Sequence, residues 1–140
     1  MENEHITPEN KYLKDFDKWN EQKKKIDTKA NFLLIHEREI WWSSAGLNIG
    51  DEENGTNQDF ERPVLIIKKF NNRVCLVLPL TTQKGHPNFY FEIYYENQSG
   101  FVILSQLKLI SVKRLKRQIS KGLSYKQFNE IKNKLLELIK

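Results

Sequence analysis

The sequence is short of cysteine and of long apolar runs, and each shortage excludes a class of protein. One cysteine among 140 residues rules out an intramolecular disulfide and a zinc site built from several thiolates. No stretch approaches the roughly 20 apolar residues of a membrane-spanning helix, and the first residues lack the order of a secretory signal. We therefore predict a cytoplasmic protein without a membrane segment.

Motifs for cofactors are also missing. The chain has six glycines and three histidines, but no glycine-rich phosphate loop and no two histidines at metal-ligand spacing. We expect neither a metal nor a nucleotide cofactor.

Charge is distributed unevenly along the chain. The formal net charge is +5, but residues 102–140 hold ten Lys or Arg against two Asp or Glu, while acids concentrate between 51 and 61. A basic surface beside an acidic loop suits a polyanion such as nucleic acid. A solvated lysine-rich helix explains the same run without any ligand.

The N-terminal part has the pattern of an amphipathic helix. Thr7 is a suitable helix cap and Pro8 a suitable first residue. Apolar residues then recur at helical spacing, which predicts a helix over 8–26. We interpret 1–31 as a helical extension, docked on the main domain 32–140 or free as an interaction arm. The apolar positions are Tyr12, Phe16, Trp19 and Ile26.

From residue 32, short runs of aromatic and β-branched residues alternate with polar turns. This pattern is typical of a small β-barrel or sandwich, here of five or six strands, whose curvature should close it. Two of the runs are apolar throughout, which predicts central strands buried on both faces. The polar stretch 48–61 should be irregular. The predicted strands are 39–44, 63–67, 74–78, 88–93 and 100–104, with an extension at 107–111.

Three side chains in this part have a predictable environment. Trp41 and Trp42 are consecutive, so one should face the core and the other should be available for a base or a dimer partner. Cys75 lies in an apolar run and is expected to be an inert core residue.

The C-terminal segment predicts a second amphipathic helix. Ser124 and Gln127 have the spacing of a capping box. The apolar residues behind them recur on one helical face, which should cover the barrel. These residues are Phe128, Ile131, Leu135 and Leu138.

Six short motifs occur in a characteristic order. Together they resemble the MazF/PemK toxin family from about residue 37 to the end of the sequence. Each motif is weak by itself, but the joint order and spacing are specific. The motifs are EIWW at 39–42, GDE at 50–52, RPVLII at 62–67, PLTT at 79–82, LSQL at 104–107 and KRL at 113–115.

The resemblance implies a mainly β fold, an SH3-like barrel of the MazF/PemK/CcdB type with flanking helices, that forms a homodimer. It implies the toxin of a type II toxin–antitoxin system: a sequence-specific endoribonuclease that cuts single-stranded RNA without a metal. The products would be a 2′,3′-cyclic phosphate and a 5′-hydroxyl end. A cognate antitoxin, encoded nearby, would restrain the toxin, and the complex would contact DNA through the antitoxin.

The same resemblance assigns residues. Arg62 and Thr81 stand at the family's catalytic positions. Lys108 replaces an arginine, so it keeps the charge but not the planar fork that holds phosphate with two hydrogen bonds. The RNA-binding residues implied by the motifs are Glu52, Thr82, Gln106 and Lys108.

These residue types suit cleavage by the RNA's own 2′-hydroxyl, which needs only positioning and charge stabilisation. Arg62 stays charged and should stabilise the transition state, while Thr81 and Thr82 should position the phosphate. The proton carriers are left open, because several acid–base groups are local. The candidates are Glu52, Glu53, Glu61 and His86.

Other interpretations remain. Arg62 would be merely structural if it paired with Glu61 or with a loop acid, and the threonines are also ordinary strand-end residues. The barrel would then be a catalytically inactive module that binds RNA or a partner protein. Relatives that poison gyrase use the C-terminal helix instead, and the presence of Arg62 and Thr81 argues against that activity.

Overall fold

Seven strands and two helices make up the part of the chain that the computed structural model describes, residues 13–30 and 33–140. Single 3-10 turns, Leu104–Gln106 and Val112–Arg114, lie on either side of the sixth strand. The predicted mainly β fold with a helix at each end is confirmed. The elements are α1 (Phe16–Asp27), β1 (Ile40–Ser44), β2 (Glu61–Lys69), β3 (Val74–Thr81), β4 (Tyr90–Tyr95), β5 (Gln98–Ile103), β6 (Lys108–Ser111), β7 (Leu115–Ser120) and α2 (Tyr125–Ile139).

The strands form one antiparallel sheet in the order β4-β5-β3-β2-β1-β7, and β6 pairs with β3. On one edge, β3 pairs first with β6 through 74–77 and then with β5 through 80–81. Pro79 lies between the two pairings, where its missing N–H removes a possible ladder bond. The described pairings end at β4 and β7, so the predicted closure of the barrel is wrong: curvature does not bring these two strands into hydrogen-bonding register.

The core lies on both sides of β2. Leu65 and Ile67 face a cluster that packs under α2, whereas Val64 and Ile66 face a second cluster with Trp41. Strand residues alternate between faces, so a continuous apolar run supplies both clusters. The predicted burial of this strand on both faces is confirmed.

The prediction that one of the two tryptophans faces the core is confirmed. Trp41 is 6% exposed and its indole Nε1 donates to Glu39 Oε1 at 3.0 Å. Trp42 is half-buried, with the Arg117 guanidinium 5.1 Å from its ring centroid. Cys75 is fully buried in the second cluster, as expected.

The count of five or six strands is wrong, because β7 is absent from the prediction. Its sequence, LKRQIS, has only two apolar residues, Leu115 and Ile119. Antiparallel pairing with β1 makes this segment a strand. The pairing depends on tertiary context, which outweighs local composition in sheets.

Helix α2 follows the sequence prediction closely. Ser124 Oγ accepts from Gln127 N at 3.3 Å, and Phe128, Ile131 and Leu135 are buried. Leu138 departs from the prediction, since it is 40% exposed near the helix end. No helix in the described ranges is long and apolar enough to cross a membrane.

Helix α1 is shorter than predicted. The predicted start at Thr7 and Pro8 lies outside the described residues. Residues 13–15 are not helical, and the helix begins at Phe16 after Asp15, whose carboxylate accepts from Lys18 N at 3.1 Å. Aspartate is a strong N-cap, which explains the later start.

A single tryptophan docks α1 on the β1–β2 loop. Trp19 is 5% exposed, and its ring meets Phe60 edge-on at 5.8 Å between centroids. Gly46 has φ +76°, and a Cβ there would lie 2.2 Å from the indole. At the other end of the helix, Lys113 Nζ donates to Asp27 O at 2.7 Å. Helix α1 is therefore docked on the sheet domain.

Candidate functional site

A groove of about 420 Å³ lies between the β1–β2 loop, the sheet and segment 105–110. Its floor is apolar and belongs to the second core cluster, through Val64, Val77 and Ile110. An apolar floor with a few converging polar groups is the usual form of a binding site. The polar residues that line it are Ser43, Glu52, Glu53, Arg62, Ser105, Gln106, Lys108 and Arg114.

Arg62 is the most buried cation in the groove lining, at 8% exposure. Its Nε donates to Asn54 O at 2.6 Å, its Nη1 to Leu80 O at 2.9 Å, and its Nη2 pairs with Glu53 Oε1 at 2.9 Å. A guanidinium has five N–H groups, so these three contacts leave two donors for a ligand. The side chain is held in a fixed orientation in the groove.

Glu61, the preceding residue, lies on the opposite face of β2. It is 3% exposed and does not line the groove. Its carboxylate pairs with Arg117 Nη2 at 3.3 Å and Lys116 Nζ at 3.8 Å, and accepts from Asn57 Nδ2 at 3.0 Å. The acid that pairs with Arg62 is therefore the loop residue Glu53.

The β1–β2 loop is irregular, as predicted, but held by hydrogen bonds. Gln106 Oε1 accepts from Glu53 N at 3.2 Å, and Gln106 Nε2 donates to Asp51 O at 3.0 Å. Asn48 Nδ2 donates to Glu53 O at 2.7 Å. The exposed Glu52 accepts from Ile49 N at 3.0 Å. Both ends of the Gln106 amide thus position the loop that carries Glu53.

Neither of the two threonines is in the groove lining. Thr81 ends β3, half-buried, directly after Leu80, whose carbonyl receives the Arg62 Nη1–H. Thr81 Oγ1 accepts from Gln83 N at 3.2 Å, so its hydroxyl proton is still available to donate. Thr82 is exposed.

His86 lies apart from the groove, in the turn that the sequence predicts. The side chain is exposed, its Nδ1 accepts from Asn88 N at 3.1 Å, and its ring lies 5.5 Å from that of Phe89. The structure therefore brings together Arg62 and Glu53, with Thr81 adjacent, but not His86.

Two further cations line the groove. Loss of solvent around the Lys108 side chain lowers its pKa, the positive charge of Arg114 lowers it further, and Glu52 opposes both. Burial also lowers the pKa of Arg114, whose Nη1 donates to Ser44 O at 2.9 Å. These cations lie in surroundings that favour a bound anion.

Sequence reasoning assigns no role to Arg114 or Ser43, which both line the groove. Arg114 belongs to the KRL motif, and this motif is the sequence signal that could have identified it. In the structure its side chain turns back to β1, where its guanidinium bonds to a backbone carbonyl. Ser43 Oγ donates to Arg62 O at 3.2 Å, a contact that strand pairing creates. No local sequence pattern predicts this contact.

Comparisons with known proteins agree with this architecture. No match was found among curated proteins. Among solved structures, MazF from Deinococcus radiodurans superposes with a TM-score of 0.60 at 16% identity, covering 76% of this chain and 97% of that one. An endoribonuclease in complex with its cognate antitoxin, from a mycobacterial species, gives 0.57 at 12% identity, covering 76% and 95%.

A MazE–MazF complex from D. radiodurans is also similar, with a TM-score of 0.52 at 15% identity, covering 78% of this chain and 97% of that one. At these identities the structures show the fold. The sequence itself matches a family model over residues 36–139, described as a PemK-like, MazF-like toxin of type II toxin–antitoxin systems. The chain belongs to the MazF/PemK family of type II toxin–antitoxin toxins.

Proposed function

We propose that this protein is a toxin endoribonuclease that cuts single-stranded RNA at short specific sequences. The observation that carries the proposal is Arg62: a buried guanidinium held by two backbone carbonyls, with two N–H groups left for a ligand, in a groove lined by further cations. Arginine binds phosphate with paired hydrogen bonds, and RNA carries a phosphate at every linkage.

The reaction needs no nucleophile from the protein. The 2′-oxygen of the ribose attacks the adjacent phosphorus, a new P–O bond forms, and the bond to the 5′-oxygen breaks. The 2′-hydroxyl gives up its proton to a base and the leaving 5′-oxygen takes one from solvent water, so the products are a 2′,3′-cyclic phosphate and a 5′-hydroxyl. No metal enters this scheme. Arg62 stabilises the negative charge that grows on the phosphoryl oxygens.

The first proton passes to a carboxylate of the groove. Glu52 and Glu53 line it, whereas Glu61 is occupied on the other face of β2 and His86 is not in the lining. A general base must lie within hydrogen-bond distance of the proton that it takes. Geometry therefore favours Glu52 or Glu53, and separate glutamine variants distinguish them by kcat.

The remaining residues position the RNA. Thr81 donates its hydroxyl to a phosphate oxygen next to the one that Arg62 holds, and Thr82 contacts the strand as it leaves the groove. Lys108 binds a neighbouring phosphate as a point charge. Gln106 contributes through the loop that it holds, because both ends of its amide already bond to that loop.

Partners follow from the same proposal. A toxin that cuts its host's messages in the cytoplasm requires restraint, and the mycobacterial endoribonuclease is similar in fold and bound to its cognate antitoxin. We infer an antitoxin with an acidic segment that enters the cationic groove, and through which the complex contacts DNA. The active toxin is a homodimer.

The test is cleavage of a long single-stranded RNA in EDTA, with the new ends mapped. We expect discrete cuts by the wild type. Arg62→Ala should be slower by about 10²–10³-fold, the usual cost of removing one transition-state donor. Arg73→Ala, an exposed arginine in the β2–β3 turn, is the matched control and should cut normally. Unaltered cleavage by Arg62→Ala would exclude the assigned role.

A second candidate is a binding module without catalysis. The observation in its favour is the Arg62–Glu53 ion pair at 2.9 Å, which occupies part of the guanidinium. Such a protein would bind RNA or a protein partner without breaking it. Tight binding to RNA by a folded wild-type protein, with no new ends, would select this function.

A further inference from the structure

Helix α1 creates a second groove on the barrel. It has a volume of about 350 Å³ and lies between the helix and the turn after β6. Lys23 and Lys24 line it from the helix, and Lys113 and Arg114 line it from the turn. One acidic residue, Asp27, shares the lining. The surface is therefore strongly cationic.

The second groove adjoins the first. Arg114 lines both of them, so its guanidinium forms part of the wall between the two. The charge of Lys23 also acts on Lys108 in the first groove, where it lowers the lysine pKa. A strand that leaves the first groove past Arg114 would enter the second, where Lys113 lines the same turn.

Docking of the helix does not require Lys23 or Lys24. Trp19 supplies the buried contact, and Lys113 Nζ bonds to the Asp27 carbonyl. Lys23 and Lys24 are exposed. Lys24 pairs with Glu21 at 3.2 Å, but both side chains are about two-thirds exposed, so the pair contributes little stability. Both ammonium groups remain available to an anion.

We propose that the α1 groove binds the phosphates of the RNA segment that flanks the cleaved bond. The helix thereby lengthens the RNA-binding surface beyond the barrel and raises affinity without taking part in the chemistry. This inference rests on the proposed endoribonuclease function, since it assumes that RNA occupies the first groove. Lys23 and Lys24 supply contacts to the backbone, which carry affinity and no sequence preference.

The test compares two double variants of the full chain. Lys23→Gln/Lys24→Gln removes both helix cations. Lys126→Gln/Lys140→Gln is the matched control, because it removes two exposed lysines, one in α2 and one directly after it, and the second pairs with Glu137 three residues away. The probe is a long RNA methylated at every 2′-oxygen, which binds but lacks the nucleophile. Its dissociation constant is measured from 50 to 500 mM salt.

We expect the α1 variant to bind about tenfold more weakly at low salt, with a salt slope reduced by about 1.4, since each phosphate contact on a single strand contributes about 0.7. The control should keep the wild-type slope. On cleavable RNA the α1 variant should show a raised KM and an unchanged kcat. Circular dichroism should show that both variants fold.

The two proposals fail separately. If the α1 variant has the affinity and salt slope of the wild type, RNA does not bind in the second groove, even if cleavage by the wild type is normal. An acidic protein segment would then be the remaining candidate for that groove. Binding that depends on Lys23 and Lys24, with no cleavage of ordinary RNA, would support the groove and overturn the endoribonuclease.

Discussion

The two faces of β2 differ in how completely they pair two adjacent residues of opposite charge. Glu61 is 3% exposed and Arg62 is 8% exposed, so neither charge is in water. Glu61 faces the cations Lys116 and Arg117 of β7, which neutralise it. Arg62 faces backbone carbonyls and one half-buried loop carboxylate, and keeps two donors. On one face the charge is neutralised by two cations of the fold, and on the other it is only partly paired.

The difference follows from the strand's alternation. Successive side chains point to opposite faces, so a charged pair in sequence becomes two separate sites in space. Burying a charge is costly unless it is paired, and both sites meet that requirement within the protein. The face with the incomplete set of partners is the one that has a groove beside it.

The largest expected effect is on the Glu61 face. Glu61→Gln leaves Lys116 and Arg117 without their carboxylate, and should lower the free energy of unfolding by about 2 kcal/mol, less than a fully buried pair because the cations are partly exposed. Urea unfolding measures this. The control is Glu130→Gln on the exposed side of α2, with no change expected. Cleavage per folded molecule should be retained, and its loss would place Glu61 in the reaction.

A smaller effect is expected on the Arg62 face. Glu53→Gln removes the carboxylate that competes with phosphate for Arg62, so binding of 2′-O-methyl RNA should tighten about fivefold, corresponding to roughly 1 kcal/mol for a partly exposed pair. The free energy of unfolding should change less than in Glu61→Gln. Glu37→Gln, another ion-paired glutamate, should not alter RNA binding. Weaker binding by Glu53→Gln would show that Glu53 itself contacts the RNA.

The smallest effect concerns pH. The pKa of Lys108 is lowered from 10.5, mainly by loss of solvent. Phosphate binds the protonated lysine, so affinity is complete below the pKa of Lys108 and falls as pH rises through it, earlier than for a lysine of ordinary pKa. We expect the affinity for RNA to fall a few-fold between pH 8 and 10. The probe for this measurement is an oligonucleotide that contains only adenine and cytosine.

Lys108→Arg is the control for the pH effect, because arginine stays charged throughout this range. Its affinity should fall less steeply between pH 8 and 10 than that of the wild type. Equal pH dependence in the wild type and in Lys108→Arg would show that the titrating group lies elsewhere.

Much of the fold was accessible from local patterns. The apolar run at 63–67, the capping residue Ser124 and the polar loop predicted two-sided burial, helix α2 and an irregular segment. Strand β7 and the start of α1 were not accessible in the same way. The first depends on pairing with β1, and the second depends on a cap at Asp15, a residue inside the apolar pattern that predicted one longer helix.

The site divides in the same manner. The ordered motifs, with Arg62 in RPVLII and Thr81 in PLTT, placed the chain in its family, and the surplus of lysine and arginine after residue 102 announced a cationic surface. Only the tertiary structure shows that Glu53 pairs with Arg62 and that Lys116 and Arg117 pair with Glu61. It also places Lys23 and Arg114 in the lining of one groove. The periodicity of a strand or helix determines the face on which a side chain lies, because this depends only on its position among its neighbours in sequence. Partners come from segments tens of residues away, and only the folded chain brings them into contact.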